Sequence, residues 1–173
     1  MLEINIIAIT PSEIDTLVHM SRKTFYESFH HMNTPENMKV YMDKAFEPQR
    51  LIAELMNPLS EFYFIMVDEK AAGFLKINQS DAQSDLHDNL SLEIERIYID
   101  ASYQGKNLGA KLIEKAKERA RELQMHYIWL GVWEKNTAAI RFYQRHGFTI
   151  FNSHAFQMGN ELQTDILMRC ETV

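Results

Sequence analysis

The sequence predicts an α/β protein with one mixed, mostly antiparallel sheet and helices on both of its faces. Segments with period-two apolar patterning come in pairs joined by short turns, which indicates antiparallel hairpins. The order of elements is a strand, three helices, three strands, a helix, a strand, a helix and two strands, which is typical of helices packed on a one-layer sheet. The 173 residues fit one domain with a substantial core, so we assign residues 1–173 to a single domain.

The N-terminal third is predicted to hold one strand and three helices. Residues 2–9 are mostly apolar and form the strand. Pro11 marks the start of a helix whose apolar residues recur at helical spacing. Thr34 is the predicted N-cap of a second helix that has Pro35 at its first position. A third, short helix ends before Pro58.

The rest of the chain is predicted as strands with two helices between them. A period-two hairpin has its turn at Glu69-Lys70, and a longer strand covers Leu90–Asp100. An amphipathic helix and a buried strand follow. The next helix is predicted to begin after the N-cap Asn136 and to stop at Gly147. A closing hairpin turns at Gly159-Asn160.

Composition restricts the class of protein. No run approaches the roughly 20 apolar residues of a membrane span, and the N-terminus lacks the basic region of a signal peptide. Cys170 is the one cysteine, so no intrachain disulfide can form, which suits a reducing compartment. The formal net charge of −6 argues against nucleic acid and is compatible with a cationic substrate. We expect a cytoplasmic monomer or homodimer without nucleic-acid or membrane partners.

The stretch "QGKNLGA", Gln104–Ala110, joins the end of a strand to an amphipathic helix. The first amides of a helix lack intrahelical acceptors, and the macrodipole adds about half a positive charge there. Small residues such as Gly105 and Gly109 allow a phosphate to approach the main chain. The stretch could therefore hold a diphosphate. The simpler interpretation is a connection in which glycine only permits a positive φ, and the Walker and dinucleotide-binding motifs are absent.

Two blocks together resemble the Gcn5-related N-acetyltransferase family. Gln104–Gly109 is similar to the family's Q/R-x-x-G-x-G/A motif, with Asn107 in place of the middle glycine. Asparagine tolerates left-handed conformations, so the loop can keep its shape. Asn136–Phe148 resembles the family's N-x-x-A-x-x-F-Y-x-x-x-G-F. The region Thr24–Phe46 looks more specifically like the bacterial spermidine/spermine N-acetyltransferases.

The resemblance implies acetyl-CoA as cosubstrate. Family members lay its diphosphate on the amides of the helix start and pair its pantetheine with the backbone of the preceding strand. This arrangement requires the two strands on either side of the helix to splay apart, leaving free backbone groups. The implied cofactor-binding residues are Ile97, Tyr98, Ile99, Gln104, Gly105, Lys106, Asn107, Leu108, Gly109, Ala110, Asn136, Ala139 and Tyr143.

The resemblance also assigns the catalytic acid to Tyr143. Acetyl transfer to an amine needs a proton for the leaving thiolate, and Tyr143 lies two helical turns after Asn136 on the same helix face. Without the flanking motif, a half-buried aromatic that holds the helix to the sheet would be the better interpretation.

The catalytic base is predicted on the strand Leu90–Asp100. Period two would place four residues on one face of that strand, namely Glu93, Glu95, Ile97 and Ile99. Paired carboxylates on this face could bind a cationic amine and take its proton, through water. Glu93 matches the family position that often carries the base, and Glu95 is the alternative. An ordinary solvated strand face would explain Glu95 almost as well.

The predicted acceptor is a small cationic amine, with a polyamine such as spermidine or spermine as the leading candidate. Carboxylates would meet a distal ammonium, and aromatic walls would cover the methylenes. The residues expected to form this groove are Phe25, Tyr26, Glu27, Phe29, Glu93 and Glu95. The alternatives are acetylation of a protein N-terminus, a lysine or another small amine, and an acyl-CoA sensor without activity. An unrelated nucleotide-binding module is a further possibility, and no metal ligand spacing is recognisable.

Overall fold

The computed structural model describes residues 1–172 and confirms the predicted fold class. These residues form one seven-stranded sheet in the order β1-β2-β3-β4-β5-β7-β6. Every neighbouring pair is antiparallel except β4 and β5, which run parallel. The strands are β1 (Ile4–Ala8), β2 (Ser60–Val67), β3 (Lys70–Gln79), β4 (Ser91–Ile99), β5 (Tyr127–Trp133), β6 (Thr149–Met158) and β7 (Glu161–Glu171).

The α-helices in residues 1–172 are α1 (Ile14–Phe29), α2 (Pro35–Ala45), α3 (Pro48–Met56), α4 (Leu108–Glu122) and α5 (Thr137–Arg145). The helices α2 and α5 begin where their capping residues predict, whereas the helix predicted from Pro11 begins with a 3-10 turn, Pro11–Glu13, and becomes α-helical at Ile14. Thr34 caps α2, because its side-chain oxygen accepts a hydrogen bond from the Asn37 amide at 3.2 Å. None of the helices within the described chain is long and apolar enough to cross a membrane.

The helices divide between the two faces of the sheet. On one face, α4 buries Leu108, Leu112 and Ala116 against apolar residues of β3, β4 and β5. On the other face, α1 contributes Leu17 and Phe25 to a second core that also includes residues of α2 and α3. Both sides of the central strands are therefore buried, which explains their long apolar runs.

The first hairpin turns one residue earlier than predicted. Val67 pairs with Lys70, so the two turn residues are Asp68 and Glu69 and not Glu69-Lys70. Asp68 and Glu69 have φ values of 46° and 65°, as a two-residue hairpin turn that follows the twist of the strands requires. The closing hairpin turns at Gly159-Asn160, as predicted, with Gly159 at φ 60°.

A β-bulge interrupts β4 at Glu95. Lys76 of β3 pairs with Arg96, whereas the next residue, Ile77, pairs with Ile94. Glu95 therefore has no partner in β3 and is an extra residue in β4. An inserted residue reverses the alternation of side chains beyond it, because the pleat has a period of two.

The bulge overturns part of the prediction for this strand. Glu93 and Glu95 do lie on one side, since Asn78 Nδ2 donates to both carboxylates, at 2.9 and 2.7 Å. Ile97 and Ile99, predicted to share that face, pack instead against the core on the α4 side. Beyond Glu95, the face of Glu93 is continued by Arg96 and Tyr98.

The close approach of β3 and β4 gives a test of this sheet. A Cβ at Gly73 would lie 2.4 Å from the Tyr98 carbonyl oxygen, and backbone cannot move aside cheaply. We expect Gly73→Ala to lower the free energy of unfolding by about 1–3 kcal/mol, the usual effect of overpacking. Urea denaturation measures it, with the exposed Lys70→Ala as a control that should change stability by less than about 0.5 kcal/mol. Equal stability of the Gly73→Ala and wild-type proteins would contradict the close packing.

Candidate active site

The parallel strands β4 and β5 pair over only the first part of their length. Ser91–Ile94 pairs with Tyr127–Leu130, and the pairing ends where the bulge at Glu95 begins. From Arg96 onward, β4 pairs with β3 alone, and β5 beyond Leu130 pairs with β7 alone. The backbone edges that face each other across this gap therefore have no strand between them, as the splayed strand pair requires.

A cleft of about 800 Å³ opens at this gap. Its walls include β4, the start of α4, the end of β5, α5 and the aromatic residues of α1. Ile97, Tyr98 and Ile99 line it from β4, and Gly131 lines it from β5. A cleft of this volume lies in the usual range for binding small molecules and cofactors.

The start of α4 presents free backbone amides to the cleft. Gly105 and Asn107 hold left-handed conformations, with φ values of 79° and 60°. The turn they form aims the chain into the helix, and Gly105, Asn107, Leu108, Gly109 and Ala110 all line the cleft. Within residues 1–172, the amides of residues 105–110 donate to no backbone or side-chain acceptor. The positive end of the helix dipole therefore faces the cleft.

The start of α5 brings Asn136 and Tyr143 to the same cleft. Asn136 Oδ1 accepts a hydrogen bond from the Ala139 amide at 3.2 Å, which fixes the helix start. Burial raises the pKa of Tyr143 above its ordinary value, so its hydroxyl is protonated at neutral pH. The hydroxyl makes no hydrogen bond to any group within the described chain and is available as a donor.

Glu95 belongs to a buried network of four charges. Lys76 Nζ contacts both Glu95 and Glu54, and Arg96 bridges the same two carboxylates, at 2.7 Å to Glu54 and 3.4 Å to Glu95. Burial alone would raise the pKa of Glu95, but the charges of Arg96 and Lys76 outweigh it and lower the pKa to about 2. Glu95 is therefore a carboxylate at neutral pH and a weak base.

Glu93 lies deeper than Glu95 and has no cationic partner in the described chain. It is 2% exposed. Its carboxylate accepts hydrogen bonds from Asn78 Nδ2 and from the amide and hydroxyl of Ser84. Burial and the neighbouring charge of Glu95 raise the pKa of Glu93, and the hydrogen bonds from Asn78 and Ser84 offset only part of the rise. Its pKa suits a base, but Glu93 does not line the cleft.

Glu93 lines a smaller cavity of about 290 Å³, which we call the chamber. Cleft and chamber share a common wall, because several residues border both; these are Phe25, Tyr41, Ile94, Glu95, Tyr98, Gly131, Phe156 and Asp165. Phe25 and Tyr41 are stacked, with ring centroids 4.6 Å apart. The chamber combines aromatic walls with three carboxylates, Glu93, Glu95 and Asp165.

Most of the predicted site residues come together around the cleft. Those that line it are Phe25, Phe29, Glu95, Ile97, Tyr98, Ile99, Gln104, Gly105, Asn107, Leu108, Gly109, Ala110, Asn136, Ala139 and Tyr143. Lys106 is exposed in the turn and is not part of the wall. Its backbone can still contribute to the turn, but its ammonium is not part of the cleft.

Tyr26 and Glu27 were predicted for the acceptor groove, and the structure places both elsewhere. Tyr26 is 51% exposed and stacks on His30. Glu27 accepts a hydrogen bond from the Ala101 amide at 3.0 Å and thereby ties α1 to the turn after β4. The helical period explains the difference, because Phe25 and Phe29 are one turn apart and face the sheet, whereas Tyr26 and Glu27 point away.

The sequence analysis missed the contribution of the closing hairpin. Asp165 of β7 lines both cavities, and His154 of β6 lines the chamber. The sequence offered one signal, since Asp165 interrupts the apolar end of β7 next to Ile166. Within residues 1–172, no group of three or more His, Cys, Asp or Glu side chains is placed to hold a metal ion.

Comparison with known proteins agrees with this geometry. The model of the acetyltransferase (GNAT) family matches residues 25–148. A relative from Lactobacillus delbrueckii subsp. lactis, described as an uncharacterized N-acetyltransferase in the pepI 3' region, is 39% identical over 169 residues and covers 98% of each chain.

Two further comparisons bear on the fold and on the acceptor. The crystal structure of the PaiA N-acetyltransferase from Thermoplasma acidophilum, in complex with coenzyme A, superposes with a TM-score of 0.81 at 17% identity, over 98% of this chain and 99% of that one. The spermine/spermidine N(1)-acetyltransferase of Bacillus subtilis (strain 168) is 43% identical over 56 residues, which is 32% of this chain and 37% of that protein.

Proposed function

The chain belongs to the acetyltransferase (GNAT) family, and we propose that the acceptor of its acetyl group is a small amine with at least two cationic nitrogens, such as spermidine or spermine. Its activity is that of an N-acetyltransferase with acetyl-CoA as cosubstrate. The identity of the acceptor and the roles of single residues are our proposal, argued below from charge and geometry.

The cleft fits acetyl-CoA by its polarity and its free backbone. The unpaired amides of residues 105–110 and the dipole of α4 suit a diphosphate. The unpaired edge of β4, at Ile97 and Ile99, suits the amides of a pantetheine arm. We assign Asn136 and Ala139 to the same ligand, because both line the cleft at the start of α5. Bound there, acetyl-CoA supplies an activated acetyl thioester.

Tyr143 is the proposed acid. Tyr143 lines the cleft, and its hydroxyl is protonated at neutral pH and has no partner in the described chain. An ordinary thiol has a pKa of about 8.5, below that of tyrosine. The Tyr143 hydroxyl therefore first donates a hydrogen bond to the sulfur of the departing coenzyme A. It transfers its proton only as negative charge builds up on that sulfur.

The observation that carries the acceptor proposal is the excess of carboxylates over cationic partners in the chamber. Within the network, Glu54 and Glu95 are balanced by Lys76 and Arg96. Glu93 has no cationic partner in the described residues, and Asp165 has only His154 at 3.8 Å. A ligand ammonium in the chamber would compensate these charges, since buried charges are stabilised chiefly by pairing.

The aromatic walls strengthen the same proposal. Phe25, Tyr41 and Tyr98 border both cavities. Aromatic faces attract ammonium groups and cover methylene chains. An amine acetylated in the cleft could therefore place a second cation in the chamber. The partial similarity to the Bacillus subtilis spermine/spermidine enzyme points to the same class of acceptor.

An amine panel assayed for acetyl-CoA-dependent thiol release tests the proposal directly. It should contain monoamines, diamines, spermidine, spermine and a peptide with a free N-terminus and a lysine. Spermidine or spermine should give the highest kcat/KM. A peptide that outperforms every polyamine would favour protein acetylation, and binding of acetyl-CoA without any acetyl transfer would favour a sensor.

The helix-start amides give the first prediction for the site. Gly109→Glu should weaken acetyl-CoA binding by about 10²–10³-fold, because two like charges near 4 Å repel by about 4 kcal/mol at an effective dielectric of about 20. Gly109→Ala is the matched control, since it adds the same Cβ, 3.2 Å from the Phe142 ring, without a charge. Titration calorimetry measures both affinities. Undiminished affinity in a folded Gly109→Glu variant would refute the diphosphate site.

Tyr143→Phe tests the proposed acid. We expect kcat to fall by roughly 10²–10⁴-fold, the scale of general acid catalysis, with little change in acetyl-CoA affinity. Single-turnover measurements ensure that the chemical step is observed. Tyr127→Phe removes a phenol that bonds Asp88 outside the cleft and should leave kcat unchanged. Normal turnover in Tyr143→Phe would leave this residue a packing role only.

The chamber charge gives a test of acceptor choice. Glu93→Gln should lower kcat/KM for spermidine by about tenfold, which is about 1.4 kcal/mol, and should barely affect a monoamine of equal length. Rising salt should weaken the preference of the wild-type protein for spermidine, because screening reduces the attraction of the distal charge. Glu27→Gln is the control, since Glu27 lies outside both cavities. If the Glu93→Gln variant still prefers spermidine over the monoamine as strongly as wild type does, Glu93 does not bind the distal ammonium.

A further inference from the structure

Asp165 occupies the boundary between cleft and chamber. It lies on β7 opposite Trp133 of β5 and lines both cavities. A Cβ at Gly131 would lie 3.4 Å from Asp165 Oδ2. The glycine thus leaves the Asp165 carboxylate uncovered on the side of the gap between β4 and β5. This gap is where the acetyl group and the acceptor amine must meet, if the proposed function holds.

Asp165 differs from the other carboxylates near the reaction. Within residues 1–172, the carboxylates that line the cleft are Glu95 and Asp165. Glu95 is held as an anion by Lys76 and Arg96, with a pKa of about 2. Burial raises the pKa of Asp165, and His154 offsets only part of this rise. Asp165 therefore combines access to the cleft with the greater proton affinity.

His154 connects Asp165 to the surface. It is the cross-strand partner of Asp165 on β6, and its Nε2 lies 3.8 Å from Asp165 Oδ2. Its Nδ1 forms a hydrogen bond with Asp85 Oδ2, from the loop between β3 and β4. An ionised carboxylate can only accept a hydrogen bond, so the contact with Asp85 favours the tautomer with its hydrogen on Nδ1. In that tautomer the lone pair is on Nε2, which faces Asp165.

We propose that Asp165 takes the proton of the acceptor ammonium and that His154, oriented by Asp85, relays it toward solvent. The N–H bond of the ammonium breaks, its electron pair remains on nitrogen, and the proton bonds to an Asp165 oxygen. The proton then passes to His154 Nε2, either as the 3.8 Å gap closes or across one water, and leaves an imidazolium between two carboxylates. Asp165 is restored as a carboxylate, and the half-buried His154 returns its proton to bulk water. No oxidant or further reactant is needed.

The surroundings of Asp165 are consistent with this role. The other titratable groups that border the chamber with it are Tyr41 from α2, Glu93, Glu95, Arg96 and Tyr98 from β4, and His154 from β6. Arg96 is committed to Glu54 and Glu95, so Asp165 gains no direct ion pair from it. The competing interpretation is that Asp85, His154 and Asp165 only fasten the loop to the closing hairpin.

The test compares acceptors that do and do not need deprotonation. It uses the amine that the wild-type protein acetylates best, and the analogue of that amine with a difluoromethylene group next to the aminomethyl carbon. Both are assayed at a pH above the lowered ammonium pKa of the analogue and below that of the parent amine, so that only the parent is largely protonated. Single-turnover rates are measured for wild type, Asp165→Asn, His154→Gln and Asp85→Asn. Glu161→Gln, an exposed carboxylate on the same strand, is the control.

Asp165→Asn should slow transfer to the ordinary amine by roughly 10²–10⁴-fold and should slow transfer to the fluorinated amine far less. His154→Gln and Asp85→Asn should show the same pattern with smaller losses, and Glu161→Gln should match wild type. Equal losses on both amines would overturn the proposal in favour of a fastening role, as would full activity of Asp165→Asn. If Asp165→Asn is unfolded and does not bind acetyl-CoA, His154→Gln is used instead. A larger loss of rate on the ordinary amine than on the fluorinated amine supports the relay, and equal losses overturn it. A wild-type protein that acetylates no amine refutes the proposed function itself, a result distinct from all of these.

Discussion

The extra residue in β4 is the constraint on which the rest of the site depends. Glu95 has no partner in β3, and the pairing of β4 with β5 ends at the residue before it. A bulge bends its strand and increases the local twist, so it can turn β4 away from β5. The same insertion reverses which side chains face α4. It therefore creates the gap, frees the backbone of Ile97 and Ile99, and sends Arg96 and Tyr98 to the acceptor side.

The four-charge network stabilises this irregular strand and leaves the carboxylates of Glu93 and Asp165 outside it. Glu54 of α3 and Lys76 of β3 engage the two residues at the bulge, Glu95 and Arg96. Removing one member of such a buried set leaves another charge without a partner, which costs about 3–5 kcal/mol. The network thus fixes α3 to the bulge with no net charge. The net charge of the chamber is consequently set by Glu93, Asp165 and His154.

Capping residues and hairpin turns made the fold predictable. The bulge in β4, which changes the side of the sheet that its later side chains face, limited the prediction of the site. Thr34 and Asn136 cap the helices predicted for them. The bulge did leave a trace in the sequence, since the adjacent charged residues Glu95 and Arg96 break the alternation of β4. The pairing of His154 with Asp165 follows from the predicted turn at Gly159-Asn160, because the register runs unbroken from that turn to this pair. The contact of His154 with Asp85 left no trace, because it depends on a loop that returns Asp85 to the sheet from 69 residues away.

The two halves of the active site come from different parts of the chain. The cleft proposed for the acyl donor is built mainly by the continuous segment from β4 to α5, inside the matched residues 25–148. Much of the chamber wall comes from Phe25, Tyr41 and the hairpin that holds His154 and Asp165, and the last two lie beyond those matched residues. If the chamber binds the acceptor as proposed, acceptor choice can diverge, in evolution or by grafting a new closing hairpin, while the donor half stays intact. In that case the fold keeps the binding of the constant acyl donor separate from the selection of the variable acceptor.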